Sequence, residues 1–383
     1  MNQDTLQTAM LGKQRNQIFQ YLKAIAIVMV IDDHMSTRIG ILSSIFPYNS
    51  FYMAMLVFIS GYFYKKRGAA VNIGKKVKGL LIPYLGWAIA GIVVAYILKN
   101  LGIVNWHRSV RDPSFLWNLL AIEPPPIVGA MWFAIMLLWV SILYNLIRAI
   151  PIWRSEHRSD YVLLALSILV GMLSLKLCMA GYCSNRWYLP FLRAAFYFPF
   201  FHMGVMFRRY WEKYIQNVRT LYLCGICVLI NVILLCEYGE SVNFYSTSGM
   251  ASFQSFWLPF VTSVTGTLFW YKLAQFVSTR VGSVGVIDFI ADNTFCIMAS
   301  HLLFINIPNF FVYFRKLGGS ERYPDFDMEL FRNSPWVRYS PNTRLAGFFC
   351  GLICSLLLAW LLEILKRKFT EIMKRSQQKA EMR

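Results

Sequence analysis

Two residues whose chemistry could serve catalysis lie eleven positions apart in one apolar stretch, at Lys23 and His34. Eleven residues are about three turns of an α-helix, so both side chains would emerge on nearly the same face, ~16 Å apart along the axis. Near pH 7 a neutral imidazole can take a proton from a hydroxyl and return it to a leaving group. The spacing therefore indicates a general base at one end of a helix and a cation at the other.

Each of these residues also has a purely structural interpretation. His34 could be an interfacial histidine surrounded by lipid headgroups, and Lys23 could extend its ammonium from the apolar layer to water. Asp32 and Asp33 precede the histidine, but adjacent helical residues point about 100° apart, so both are poorly placed to orient its ring. The remainder of the chain has to decide between these interpretations.

Composition indicates that the surroundings of this helix are a membrane. Of the 383 residues, 57% are hydrophobic and 15% are charged, whereas soluble domains contain about 25% charged residues. Apolar runs close to ~20 residues recur along the whole chain. We therefore predict an all-α, polytopic integral membrane protein with about ten transmembrane helices, at 17–35, 48–64, 79–98, 128–147, 160–179, 191–207, 220–237, 255–272, 286–312 and 344–365. Pro308 is expected to end or kink the ninth helix.

The distribution of charge predicts how these helices are oriented. Most of the 38 Lys and Arg residues fall in alternate connections and in the tail, which places both termini in the cytoplasm. The formal net charge of +19 then indicates contact with anionic membrane lipids rather than with nucleic acid. We divide the chain into a cytoplasmic segment 1–16, a membrane domain 17–365 and a basic cytoplasmic tail 366–383.

Three further places could bind a substrate. The connection 65–78 carries six basic residues, and such a cluster at a helix mouth could hold a phosphorylated ligand, although topology explains most of these charges. Arg193 could hydrogen-bond a sugar or a carboxylate, or simply anchor a helix end. His301 has apolar neighbours, among which a satisfied core histidine is the commoner outcome. No spacing of Cys and His resembles a zinc site, and Gly347 with Gly351 forms a GxxxG pattern typical of close helix packing.

Two long connections on the predicted outer side have two interpretations. One lies between the third and fourth helices and contains Trp106, and the other covers about 313–343. Long connections are often functional lids or binding loops, but a solvated cap without a ligand is an equal alternative.

Several segments, taken in order, resemble motifs of the acyltransferase type 3 family of membrane proteins. Lys23 to His34 is similar to the first-helix signature of a basic residue followed by histidine, and 58–62, with Ser60 and Gly61, resembles the second-helix motif. The stretch 75–84, the segment 131–133 with Trp132, and 294–301 with His301 are similar to later motifs. Arg193 with 198–201 resembles the branch that modifies sugars such as fucose. Two residues depart from the pattern: Lys23 replaces the usual arginine, and Gly79 stands where many members carry another basic residue.

The resemblance implies an acyl-CoA-dependent O-acyltransferase that acts on a carbohydrate hydroxyl at the bacterial cytoplasmic (inner) membrane. Its donor would be cytoplasmic acetyl-CoA, its acceptor a glycan or lipid-linked sugar, and no metal would be required. The following residues are then assigned: His34 to catalysis; Lys23, Lys75, Lys76, Lys78, Ser60 and Gly61 to donor binding; and Arg193, Trp132 and His301 to acceptor binding.

Other functions remain open at this point. A transporter or flippase for a lipid-linked or anionic glycan would also use basic mouths and intramembrane histidines, although the chain has no duplicated hydropathy pattern. A non-catalytic scaffold is a third interpretation. Acetyl and succinyl transfer look alike in the sequence, as do direct transfer and an acyl-histidine intermediate, and the oligomeric state is not predicted.

Overall fold

The structure is a computed structural model that describes residues 16–35, 42–106, 112–153, 157–242, 249–336, 339 and 343–381, with only the backbone described for Glu240 and for 374–381. Helices account for its regular structure, and no β-strand occurs in these described ranges. The main helices are α1 Gln17–Met35, α2 Tyr52–Tyr62, α3 Ala69–Lys76, α4 Ile82–Asn100, α5 Trp132–Ala149, α6 His157–Met179, α7 Leu189–Met206, α8 Glu212–Asn217, α9 Thr220–Tyr238, α10 Leu258–Val281, α11 Gly285–Asp292, α12 Thr294–Phe304, α13 Ile307–Leu317, α14 Met328–Asn333 and α15 Arg344–Glu381.

Short helical segments join several of these helices. The π-helical turns Val77–Leu81 and Phe207–Trp211 connect α3 to α4 and α7 to α8 without a break. The other short segments are Leu42–Ile45, Tyr48–Ser50, Phe115–Trp117, Asn118–Ile122, Pro126–Met131, Pro151–Trp153, Tyr182–Ser184 and Gly239–Val242.

Each predicted apolar segment contains a helix, but the ninth differs from its prediction. The segment 286–312 is three helices, with breaks at Asn293 and at Ile305 and Asn306. Pro308 lies in the first turn of α13, where its missing N–H removes no intrahelical hydrogen bond. It therefore begins a helix instead of ending one. At the other end of the chain, α15 continues as one helix past the predicted boundary at 365 to Glu381.

Six helical stretches in the described part of the chain are long and apolar enough to cross a membrane, which supports an all-α integral membrane protein. They are Ala69–Asn100, Phe115–Ala149, His157–Met179, Thr220–Tyr238, Thr294–Leu317 and Arg344–Met373. The stretches that contain α4, α6, α9 and α15 bury 17% to 33% of their apolar windows, whereas the one that contains α5 buries 83%. The apolar faces of α4, α6, α9 and α15 are therefore presented to lipid, whereas α5 lies inside the bundle.

The helices that carry charge are also internal. Helix α1 contains Lys23, Asp32 and Asp33, and most of its residues are buried. Helix α7 contains Arg193, which is 1% exposed, and α10 contains Lys272, also 1% exposed. Because a charged group in contact with lipid is costly, these helices are stable only when apolar helices surround them.

Glycines bring the inner helices into close contact. A Cβ atom at Gly61 would lie 2.8 Å from the carbonyl carbon of Phe201, and one at Gly204 would lie 2.7 Å from the backbone nitrogen of Tyr62. Helices α2 and α7 therefore cross with their backbones in contact. Gly347 and Gly351 of α15 lie so close to the Met35 side chain and to Ile305 that a Cβ atom at either glycine would clash, which confirms the predicted GxxxG packing.

The two long connections pack on each other at the His34 end of α1. They share an apolar cluster of their own, the cap cluster, formed by Val104, Trp106, Ile127, Val128, Val312, Tyr313, Phe326, Phe331 and Tyr339. The indole nitrogen of Trp106 donates to the carbonyl oxygen of Phe331 at 2.9 Å. The backbone nitrogen of Asn105 donates to the carbonyl oxygen of Arg332 at 2.6 Å. The connections are thus one packed unit rather than two separate loops.

Candidate active site

His34, near the end of α1, lies beside two aromatic rings that come from distant parts of the chain. Its ring centroid is 5.2 Å from that of His301 and 5.6 Å from that of Trp336. His34 is partly exposed, whereas His301 is fully buried. His34 is therefore the more accessible of the two imidazoles.

A backbone carbonyl determines which nitrogen of His301 carries the proton. Nδ1 of His301 lies 2.9 Å from the carbonyl oxygen of Ile297. A carbonyl oxygen only accepts, so Nδ1 must be the protonated nitrogen, and Nε2 carries the lone pair in the neutral ring. The contact fixes both the tautomer and the orientation of this ring.

Trp336 reaches His34 because the end of the second long connection is held in place. Asn306, in the break between α12 and α13, donates from Nδ2 to the carbonyl oxygen of Pro335 at 3.0 Å. Gly129 leaves room for the indole, since a Cβ atom there would lie 2.8 Å from Cζ2 of Trp336. Trp336 itself is 45% exposed and thus forms part of the accessible surface beside His34.

The two aspartates that precede His34 interact with tyrosines. Oδ2 of Asp33 accepts a hydrogen bond from the hydroxyl of Tyr52 at 3.1 Å. Asp32 is buried and hydrogen-bonds Tyr48. These contacts agree with the helical geometry, which directs neighbouring side chains away from one another.

Arg193 lies in a buried aromatic setting. Its Nη1 donates to the carbonyl oxygen of Ile122 at 2.8 Å, and its guanidinium carbon is 5.0 Å from the Trp132 ring centroid. The ring centroid of Trp132 is also 6.4 Å from that of Tyr197. Two of the sequence-predicted acceptor residues, Arg193 and Trp132, are therefore together.

A basic cavity lies at the opposite end of α1. Its volume is about 490 Å³, and its described lining contains five cations and no carboxylate. The cations are Lys23, Lys65, Arg67, Lys75 and Lys76. Nζ of Lys23 donates to Oε1 of Gln20 at 3.4 Å and lies 5.1 Å from the ring centroid of Phe63.

Sequence-predicted donor residues are only partly gathered at this cavity. Lys23, Ser60, Lys75 and Lys76 line it, as does Gly79, whose missing side chain leaves the cavity wider. Lys78 is exposed on the π-helical turn, and Gly61 faces the backbone of Phe201 in the crossing of α2 and α7. Neither of these two is part of the described lining.

Two asparagines attach the basic connection to the inner helix α5. Nδ2 of Asn72 donates to Oδ1 of Asn145 at 2.9 Å and to the carbonyl oxygen of Lys65 at 3.0 Å, and Nδ2 of Asn145 donates to the Ser141 carbonyl at 2.7 Å. Oδ1 of Asn145 also accepts from the Tyr64 hydroxyl at 3.3 Å. Burial raises the pKa of the Tyr64 phenol, so this group remains neutral and able to donate near pH 7.

Sequence reasoning missed a buried ionic cluster beside this cavity. Asp160, which is fully buried, receives hydrogen bonds from Arg148, from Arg209 at 3.0 Å and from the Tyr210 hydroxyl at 2.7 Å. Nε2 of His202 lies 2.9 Å from the Asp160 carbonyl oxygen. The available signals were an aspartate in the first turn of one apolar helix and a histidine inside another, both of which are expensive in lipid.

The described residues contain no group of three or more His, Cys, Asp or Glu side chains that could hold a metal ion. The side chains gathered at the two ends of α1 carry imidazole, ammonium and guanidinium groups. This arrangement could bind an anion at one end of α1 and transfer a proton at the other.

Comparison with known proteins identifies the family. The model of the acyltransferase type 3 family, described as an acyltransferase domain, matches residues 16–364. No curated protein matches the chain. No solved structure matches it either.

Proposed function

The chain belongs to the acyltransferase type 3 family, and from this membership we propose that it moves an acetyl group from cytoplasmic acetyl-CoA to a hydroxyl of a cell-surface or lipid-linked glycan. The observation that carries the proposal is the placement of a basic cavity and a partly exposed histidine at the two ends of one buried helix. Family membership favours an enzyme over the transporter or flippase that the sequence left open.

The donor would enter through the basic cavity. The diphosphate of acetyl-CoA would bind Lys75 and Lys76, with Lys23 at the inner end of the cavity and Ser60 on its wall. The pantetheine arm would then follow α1. Its length is of the same order as the ~16 Å helical rise between Lys23 and His34, so the thioester would reach the histidine while the nucleotide stays on the cytoplasmic side.

Transfer would proceed by direct attack. His34 takes the proton of the acceptor hydroxyl as its oxygen forms a bond to the thioester carbon. The carbon–sulfur bond then breaks, the thiolate of CoA leaves, and the histidinium returns the proton to it. The products are a glycan ester and free CoA. His301 would position the His34 ring and, with Arg193 and Trp132, the acceptor.

The proposal includes ten membrane crossings, both termini in the cytoplasm and location in the bacterial inner membrane. Ser44 and Arg67 flank α2 and are both exposed, so they report whether α2 crosses. With the native cysteines replaced, Ser44→Cys in whole cells should react with a membrane-impermeant maleimide, and Arg67→Cys should react only after lysis. Equal labelling of both in intact cells would contradict the crossing by α2.

Radiolabelled acetyl-CoA tests the chemistry. Purified protein with acceptor glycan should release free CoA and label the glycan, whereas a flippase would do neither. His34→Ala should lower kcat by ~10²–10⁴-fold, the usual contribution of a general base, with the binding of CoA retained as proof of folding. Full activity in this variant would exclude the mechanism. Mass spectrometry of surface glycans would separate acetyl from succinyl transfer.

A further inference from the structure

A second, smaller cavity lies beside the basic cavity described above. Its volume is about 120 Å³, and it shares Tyr64, Arg67 and Asn145 with the larger one. Four of its described lining residues are cations and none is acidic: Lys66, Arg67, Arg148 and Arg209. Its size and its positive lining suit a phosphoryl group.

Two of the three arginines that line this cavity, Arg148 and Arg209, are held in place before any ligand arrives. Arg148 is 8% exposed, and its Nε and Nη1 donate to the Tyr144 hydroxyl at 3.1 Å and to the Trp153 carbonyl at 2.6 Å. Asp160 holds Arg148 and Arg209 on its two carboxylate oxygens. Ordering these side chains beforehand removes an entropic cost that a ligand would otherwise incur.

The charge of this cluster is not balanced by Asp160. Among the described residues, one carboxylate faces two guanidinium groups, and Arg67 adds a further positive charge at the cavity. Pairing with Asp160 therefore explains why Arg148 is buried but leaves an excess of positive charge in the described lining. An anion is the ligand that such a site recognises, and arginine forks suit phosphate oxygens.

We propose that this cavity binds the ribose 3′-phosphate of the acyl-CoA donor, separately from its diphosphate. The inference rests on the proposed function, because it assumes an acyl-CoA in the larger cavity. With the thioester directed toward His34, the ribose phosphate lies at the far end of the donor. The shared wall at Tyr64, Arg67 and Asn145 places a second anion site beside the first.

The affinities of CoA and 3′-dephospho-CoA test this assignment without any knowledge of the acceptor. Titration calorimetry of the full-length protein in zwitterionic nanodiscs should give a Kd for CoA ~10-fold or more below that for 3′-dephospho-CoA, because charge-assisted hydrogen bonds would be lost. Lys66→Gln removes a cation that lines only the small cavity and should reduce this ratio roughly fivefold. Lys75→Gln is the matched control, since Lys75 lines only the large cavity. It should weaken both ligands and leave the ratio unchanged.

Each other outcome has a definite meaning. Equal affinities for the two ligands would overturn the 3′-phosphate site while leaving acyl-CoA binding intact. If Lys75→Gln alters the ratio of the two Kd values and Lys66→Gln does not, the 3′-phosphate binds in the larger cavity, and the proposed site is again overturned. Absence of binding by either ligand would refute the proposed function together with this inference. If phosphatidylglycerol in the nanodiscs abolishes the preference, the cavity is a lipid-headgroup site.

Discussion

Gly61 offers a quantitative test of how the inner helices are held together. An alanine Cβ there would lie 2.8 Å from the carbonyl carbon of Phe201, about 0.6 Å closer than the 3.4 Å at which ordinary contacts begin. The obstacle is helix backbone, so a rotamer change cannot relieve it. Helices α2 and α7 would have to separate, and overpacking of this kind typically costs ~1–3 kcal/mol.

Gly86→Ala is the matched control for this substitution. Gly86 lies inside α4, and no atom would be within 4 Å of a Cβ atom there. Alanine at such a position should be neutral or stabilise the helix by up to ~1 kcal/mol. Reversible unfolding in mixed micelles measures both variants. A Gly61→Ala protein as stable as the Gly86→Ala protein would refute the steric argument.

The partner glycine extends the test. A Cβ atom at Gly204 meets the backbone of Tyr62 from the other side of the same crossing. Once one alanine has separated the helices, the second should cost less, so the double variant should lose less stability than the sum of the single losses, by ~0.5 kcal/mol or more. Additive losses would mean that the two glycines relax independently.

Three further substitutions separate structural from functional roles. Lys272→Met should cost ~2–3 kcal/mol of unfolding free energy without altering the Kd of CoA, because Nζ donates to the carbonyl oxygens of Ile215, Gln216 and Val218; unaltered stability would contradict this role. Arg193→Lys should raise the acceptor KM roughly tenfold with the CoA Kd unchanged, since lysine keeps the charge but loses the guanidinium group that lies over the Trp132 ring. The proposed acceptor role would be wrong if the CoA Kd rose instead. His301→Ala should lower kcat by ~10-fold or more at constant CoA Kd, as expected for a positioning residue beside the base; an unchanged kcat would exclude that role.

Local sequence features were sufficient to predict α1. Its observed bounds, Gln17–Met35, equal the predicted 17–35 because an apolar run between polar segments is the signal that hydropathy reports. The basic cavity was also partly predictable. Lys75 and Lys76 are adjacent residues in the last turn of α3, so a local cluster of charge in the sequence became a local cluster in space.

Contacts between distant residues could not be predicted in this way. Trp336 lies against His34 although some three hundred positions separate them, and both the cap cluster and the break at Asn306 are needed to bring it there. Arg148 and Arg209 closely follow predicted apolar segments, where the general distribution of positive charge is enough to account for them. Their partner, Asp160, belongs to another helix. A single sequence gives the cost of a buried charge but not the identity of the group that offsets it.

Helix α2 illustrates why hydropathy identifies only part of this bundle. Its 11 residues span ~16 Å, about half of a ~30 Å hydrocarbon layer. In lipid, such a helix would leave unsatisfied backbone groups at both ends. Here α2 packs on α7 through Gly61 and Gly204, and its last turns, with Ser60, reach the basic cavity. A helix whose end opens onto an aqueous cavity need not span the full layer. The short length of α2 and the charges of α1 remove both helices from a count of apolar spans. The same two features are the ones that the proposed passage for an anionic donor would require.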